Sequence, residues 1–389
     1  MKKLLSFIII ILLVSSCVKV KDRDIATTTD NFNRQLILNN WVNNLVIPAY
    51  ADFKIKMDNL KLESTAFVNT PTTDTQQELQ VAMFEAQKVW QHVAMFELQS
   101  SNGTRIYMNT YPIDRETSTN PSPNSNEDDR TLEANLSESL TEINNISFEN
   151  TSGTIDEQGF PALDYLINKE NSLSKFTDNE TAENYKTYLN KVVDRMVDLT
   201  NRANTYWTTN ASTIIANSGS SATASFDKMA NDYINYVEQG FRENKIANSS
   251  GKRDGIENIL AVEGYYSSEN SKIYFNEAFK AVKNFYYGTS YDGTKTNEGI
   301  KDYLDYLNAE VYISSENKDV KISEQIDAKF SEIENTVATL NDDFVIQVTE
   351  DNSKMYNAFN VVQEYVVLIK TNTFQALNVK IDYVDSDGD

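Results

Sequence analysis

The chain has one cysteine and one histidine in 389 residues, and each scarcity removes a kind of chemistry. A lone Cys17 excludes an intramolecular disulfide framework. A lone His92 excludes multi-histidine zinc sites and a bis-histidine haem pocket. His92 also sits in an aromatic helical stretch beside Trp90 and Phe96, where packing or exposure explains it better than ligation. No glycine-rich phosphate loop is present. All six prolines lie at or before Pro161, so irregular backbone is expected in the first half and plainer antiparallel helices in the second. Positive charge is scarce as well. A formal net charge of −22 argues against nucleic acid, and against an anionic membrane surface, as a partner.

The one long apolar run, Leu4 to Val14 behind Met1-Lys2-Lys3, is too short to span a bilayer as a mature anchor and reads as a secretory signal. It ends in Val14-Ser15-Ser16-Cys17, which looks like a bacterial lipobox. On that pattern residues 1–16 are a signal peptide, Cys17 is the lipidation site and residues 17–29 are a polar tether. The expected location is the bacterial cell envelope, lipid-anchored to a membrane, facing the periplasm or the surface.

Beyond the tether almost every long segment carries the helical period. Asp30 is placed to cap a first helix, which Pro48 is expected to kink or interrupt. A second helix is predicted from Thr73 to Leu98, and a short one from Leu132 to Ile143. Thr177 and Glu180 have capping-box spacing before a helix with Tyr185, Tyr188, Leu189, Val192, Met196 and Leu199 on one face. Ile322 to Phe344 reads as one long stripe, and Leu377 to Val384 alternates like a strand. The stretch 217–225, NSGSSATAS, is the clearest linker. The expected fold is therefore all-α: two packed helical-bundle domains, 30–217 and 218–389, with a short strand-like tail.

The helix start Gly159-Phe160-Pro161-Ala162-Leu163-Asp164 stands out locally. Glycine permits a sharp turn, Pro161 suits the first helical position, and Asp164 three residues on shares a stripe with it. Asp382, Asp385, Asp387 and Asp389, with Gly388, resemble a calcium loop but lack its closing glutamate, and Glu127-Asp128-Asp129 reads as a solvated charge run, so no metal and no cofactor is expected from the residues.

Taken in order, several blocks resemble the imelysin family of bacterial envelope proteins, filed as metallopeptidases and linked to iron uptake. They are Val46-Ile47-Pro48-Ala49-Tyr50; Val89-Trp90 through Glu97; Tyr111-Pro112-Ile113-Asp114; GFPALDYL; Val262-Glu263-Gly264-Tyr265-Tyr266-Ser267; Leu368-Ile369-Lys370-Thr371; and the closing Asp385-Ser386-Asp387-Gly388-Asp389. The resemblance implies two packed helical bundles with a glycine-x-histidine-x-x-glutamate motif near their interface. Here Pro161 replaces that histidine and Asp164 that glutamate. Proline neither ligates nor titrates, so the resemblance implies a non-catalytic binding protein, linked to iron or haem acquisition through an envelope ligand or protein partner. Glu97, Tyr111, Asp114, Gly159, Phe160, Pro161, Asp164, Glu263 and Ser267 are its candidate binding or motif residues. The alternative is a metal-dependent peptidase or hydrolase that uses carboxylates from distant segments.

Overall fold

The computed structural model describes residues 18–20, 30–97, 104–114, 131–148, 152–313 and 317–381. The leader, Cys17, the loop 117–130 and the acidic tail beyond 381 lie outside the described residues.

A short strand β1 (Val18–Val20) is followed by a nearly continuous helical rod: α1 (Arg34–Asn40), a π-helical turn (Trp41–Val46) and α2 (Ile47–Asn69). Asn33, not Asp30, caps it by accepting from the Gln35 N–H. Pro48 does not break the rod. Its missing N–H leaves the Asn44 carbonyl free, and the Tyr291 N–H takes that carbonyl at 2.8 Å. A defect in one segment thus becomes a tie to a segment far along the chain.

α3 (Thr73–Trp90) returns antiparallel to α2 from a reciprocal Thr72/Thr75 capping box. It stops at Trp90 rather than Leu98, because residues 91–95 turn away. α4 (Thr104–Met108), α5 (Leu132–Leu136) and α6 (Leu140–Asn145) are short, so the single helix expected over 132–143 is two. A 3-10 turn (Ser152–Glu157) leads into α7 (Gly159–Asn168), then α8 (Ser172–Thr177) and the long α9 (Ala182–Ala216), which packs along α2 and α7. Thr177 ends α8 instead of capping α9; its hydroxyl turns back to the Leu173 and Ser174 carbonyls.

After the loop at 217–224 come α10 (Ser225–Asn235), a π-helical segment (Tyr236–Ala247) and α11 (Asn248–Ser250). Two 3-10 turns (Ile259–Ala261 and Tyr265–Asn270) precede α12 (Ser271–Tyr287) and α13 (Ile300–Tyr306). β2 (Ala309–Ile313) and β3 (Lys318–Lys321) complete an antiparallel sheet in the order β1-β2-β3. β1 therefore sits on the sheet, although the sequence reading placed all of 17–29 in a tether.

α14 (Ile322–Ala338) and α15 (Phe344–Val367) divide the expected single stripe, because Asp343 caps α15 by accepting from the Val345 and Ile346 N–H groups. A π-helical turn (Leu368–Thr373) and α16 (Phe374–Leu377) end in Asn378 at φ 54°, so residues 377–381 are not the strand expected there. The second half is accordingly less plain than its lack of proline suggests.

Buried apolar side chains form one continuous cluster across both halves. Trp41 stacks on Phe285 at 3.9 Å and donates its indole N–H to the Phe285 carbonyl at 3.0 Å. Arg34 pairs with Asp227 at 3.1 Å and donates to the Leu377 carbonyl at 2.9 Å. The first helix is thus fastened to elements from the second half, by packing and by a buried ion pair.

Candidate functional site

Gly159 begins α7 at φ +74°, and a Cβ there would lie 2.4 Å from the Met108 carbonyl oxygen. Both facts require glycine. Pro161 is the third helical residue, not the first as the sequence suggested, but it is still in the turn whose N–H groups lack intrahelical acceptors. Phe160 packs toward Trp90, with ring centroids 6.4 Å apart.

One turn on, Asp164 is fully buried. Its Oδ1 accepts from the Ser267 hydroxyl at 2.8 Å and the Asn168 amide at 2.9 Å; its Oδ2 accepts from the Tyr266 N–H at 2.9 Å. Two of those donors come from the Tyr265–Asn270 turn. Gly264 at φ +76° and a non-helical Ser267 bend that turn so that both point to one carboxylate. Every hydrogen-bond donor to Asp164 is neutral. Burial pushes its pKa up to about 6, only partly offset by the three hydrogen bonds, and Glu269 adds to the rise.

The neighbouring carboxylate is built differently. Glu263 is buried and ion-paired with the Lys245 ammonium, which the Tyr236–Ala247 segment carries inward. Its Oε1 also accepts from Gln91 at 2.8 Å and Asn109 at 2.7 Å. Gln87 on the buried face of α3 and Gln91 just after its last residue line this cage, and Lys245 donates to the Gln91 side-chain Oε1 at 2.7 Å. Burial opposes ionisation of Glu263, yet the Lys245 charge and the amide donors outweigh it and hold the carboxyl below its usual range.

The two neighbourhoods adjoin. The Tyr111 and Tyr274 hydroxyls are both pushed far up, first by burial and then by the negative charges of Asp164 and Glu263. Outside this pair lies a cleft of about 470 Å³ between α3, the end of α7 and the start of α12. Asn168, Tyr266 and Ser267 form part of its wall, with Asp164 behind them.

Of the sequence-derived candidates, Gly159, Phe160, Pro161, Asp164 and Ser267 gather at this junction. Glu263 and Tyr111 stand beside it, linked through Gln87 at 3.5 Å to each. Glu97 and Asp114 are engaged elsewhere. Glu97 accepts the Arg105 N–H at 2.6 Å at the start of α4, and Asp114 exchanges backbone bonds with Asp156 and Leu132. His92 is packed against Tyr291 and bonded to Glu277 at 2.8 Å. Sequence reading missed Gln87, Gln91, Asn109, Asn168 and Lys245. Only the glutamines carried a signal, as a polar pair at helical spacing on an otherwise apolar face.

A mostly helical fold thus brings two distant motifs together at a buried carboxylate. The imelysin family model (peptidase M75) matches residues 46–365, and the chain belongs to the imelysin family. Its fold is similar to that of a protein from Parabacteroides distasonis described as an iron-regulated protein A precursor. That match has a TM-score of 0.69 at 12% identity and covers 90% of this chain and 96% of the other. It is also similar to an imelysin-like protein from Psychrobacter arcticum, with a TM-score of 0.61 at 15% identity, covering 92% of this chain and all of the other. A search of curated protein sequences finds no match.

The peptidase description raises the question of a metal, and the residues at the junction do not fit one. The Pro161 side chain offers no ligating atom, the Asp164 oxygens face three N–H or O–H donors, and Glu263 is paired with an ammonium. Among the described residues no three His, Cys, Asp or Glu side chains are grouped to hold an ion.

Proposed function

We propose that this imelysin-family protein is a non-catalytic, lipid-anchored envelope protein that binds a ligand in the cleft beside Asp164, in a process linked to iron. The observation that carries the reading is the state of Asp164. The carboxylate that would serve chemistry in a histidine–carboxylate motif is instead shut behind the cleft wall, tying α7 to the Tyr265–Asn270 turn. A general base or ligand must reach its substrate or metal. This one reaches only protein donors. The cleft has the size of a small-molecule site and mixes aromatic with amide side chains. The iron link is supported by the description of the Parabacteroides relative, and the anchor by the lipobox-like run ending at Cys17.

The test is metal analysis of the purified protein together with a peptide-hydrolysis assay. The expected result is substoichiometric metal and no turnover above background. Stoichiometric zinc, with cleavage abolished by Asp164→Ala, would overturn the reading in favour of a hydrolase. Incorporation of labelled fatty acid, lost in Cys17→Ala, tests the anchor. Induction under iron starvation tests the iron link.

A further inference from the structure

The cleft wall is biased in its hydrogen bonding. Gln80 donates one of its two amide N–H groups to the Ile167 carbonyl at 2.9 Å, Asn168 directs one of its own at Asp164, and the Ser267 hydroxyl donates to the same carboxylate. Buried acceptors draw one donor from each of these groups inward, and the Gln80 and Asn168 oxygens and the Ser267 lone pairs are acceptors beside the cleft.

Charge points the same way. Glu269 lines the cleft, exposed, and raises the pKa of Asp164 behind it, so two carboxylates act on one volume. Neither has an ion-pair partner among the described residues, and no lysine or arginine lines the cleft. The Lys88 ammonium, 5.2 Å from the Phe84 ring centroid, is engaged with Glu85 at 2.8 Å. Phe84, Tyr266 and Tyr274 contribute aromatic surface, which attracts organic cations.

We propose that the cleft binds an organic cation, a primary alkylammonium or guanidinium group, held by Glu269 and the outward acceptors against the aromatic wall. This rests on the reading of the cleft as a ligand site and supplies the ligand's chemical class. An anion would meet the Glu269 carboxylate with no lysine or arginine on the wall to offset it. A bare metal ion would gain nothing from the rings.

Titration calorimetry of the protein with cadaverine, arginine amide and a trilysine peptide tests the assignment. At least one probe should bind, and Glu269→Gln should weaken it roughly ten- to hundred-fold, the loss of one charge-assisted hydrogen bond. Tighter binding of trilysine than of the small amines would place the group on a peptide; the reverse would place it on a free amine. Phe84→Leu should cost a few-fold more. Glu269 is at the exposed rim, so an unchanged melting temperature checks that the variant is folded. No binding below millimolar concentration, or equal affinity in wild type and Glu269→Gln, would overturn the proposal. If amide resonances of cleft residues shift with a neutral polyol or an anion but not with the amines, the cation assignment fails while the cleft remains a ligand site.

Discussion

Asp164 and Glu263 are both buried carboxylates at one junction, and they sit in opposite electrostatic states. Asp164 is solvated by three neutral dipoles and its pKa rises to about 6; Glu263 faces an ammonium and its pKa falls. Burial is common to both, so burial does not decide the sign. The charge of the partner does. Asp164 is a strut that can accept a proton, whereas Glu263 is half of an ion pair that neither partner can leave cheaply.

The sharpest way to break the contrast is to neutralise one side of the pair. Glu263→Gln strands the Lys245 ammonium in the interior and should cost about 3–5 kcal/mol in chemical denaturation. Lys245→Met should cost a similar amount, and the double variant less than the sum. Additive losses would show that the two groups are not paired.

The second test is pH. The native pKa of Asp164 is about 6 against 3.8 for the free side chain, so the folded state takes up the proton first. Stability from this group therefore grows as pH falls from about 7 toward 4, by at most about 3 kcal/mol. Glu263 has the opposite sign. Its folded pKa is depressed below 4.5, so its contribution is present above the unfolded value and lost as pH falls through the native one. Denaturation of wild type and Asp164→Asn between pH 4 and 7 should show the slope in the first and not in the second. Equal slopes would remove Asp164 as its source.

A smaller effect is expected from Asp164→Asn at pH 7, a loss of no more than about 1 kcal/mol. The Tyr266 N–H keeps an oxygen acceptor, and the Ser267 hydroxyl and Asn168 amide can turn to accept from the new N–H₂ group. Asparagine should be tolerated at 164 where glutamine is not tolerated at 263. Smallest of all should be Glu97→Gln, a few tenths of a kcal/mol in melting experiments, because the Arg105 N–H keeps an oxygen acceptor.

The helices were readable because apolar spacing is a local property. Leu189, Val192, Met196 and Leu199 announce the buried face of α9 without knowledge of what covers it. Ends were less readable, because competing local bonds decide them; Thr177 could cap forward but bonds backward. The helix start at Gly159 and the identity of Asp164 were plain. Its partner Ser267 lies 103 residues away, and no local pattern announces that the two meet. Lys245 was invisible for a related reason. A lysine in a helical segment looks like surface until the π-helical turns of Tyr236–Ala247 rotate it inward.

The absent side chain of Gly159 has a consequence for evolution by substitution. The Met108 carbonyl occupies the space where its Cβ would be, and Asn109, the next residue, holds Glu263 while α7 carries Asp164. The separation between the two carboxylate neighbourhoods is therefore gauged at a point that touches neither. A methyl group at 159 would act as a spacer between α4 and α7, moving the Asn109 side of the junction relative to the Asp164 side. A change in the α4 turn could relieve that clash but not the strain of a side chain at φ +74°, so residue 159 is expected to accept glycine alone.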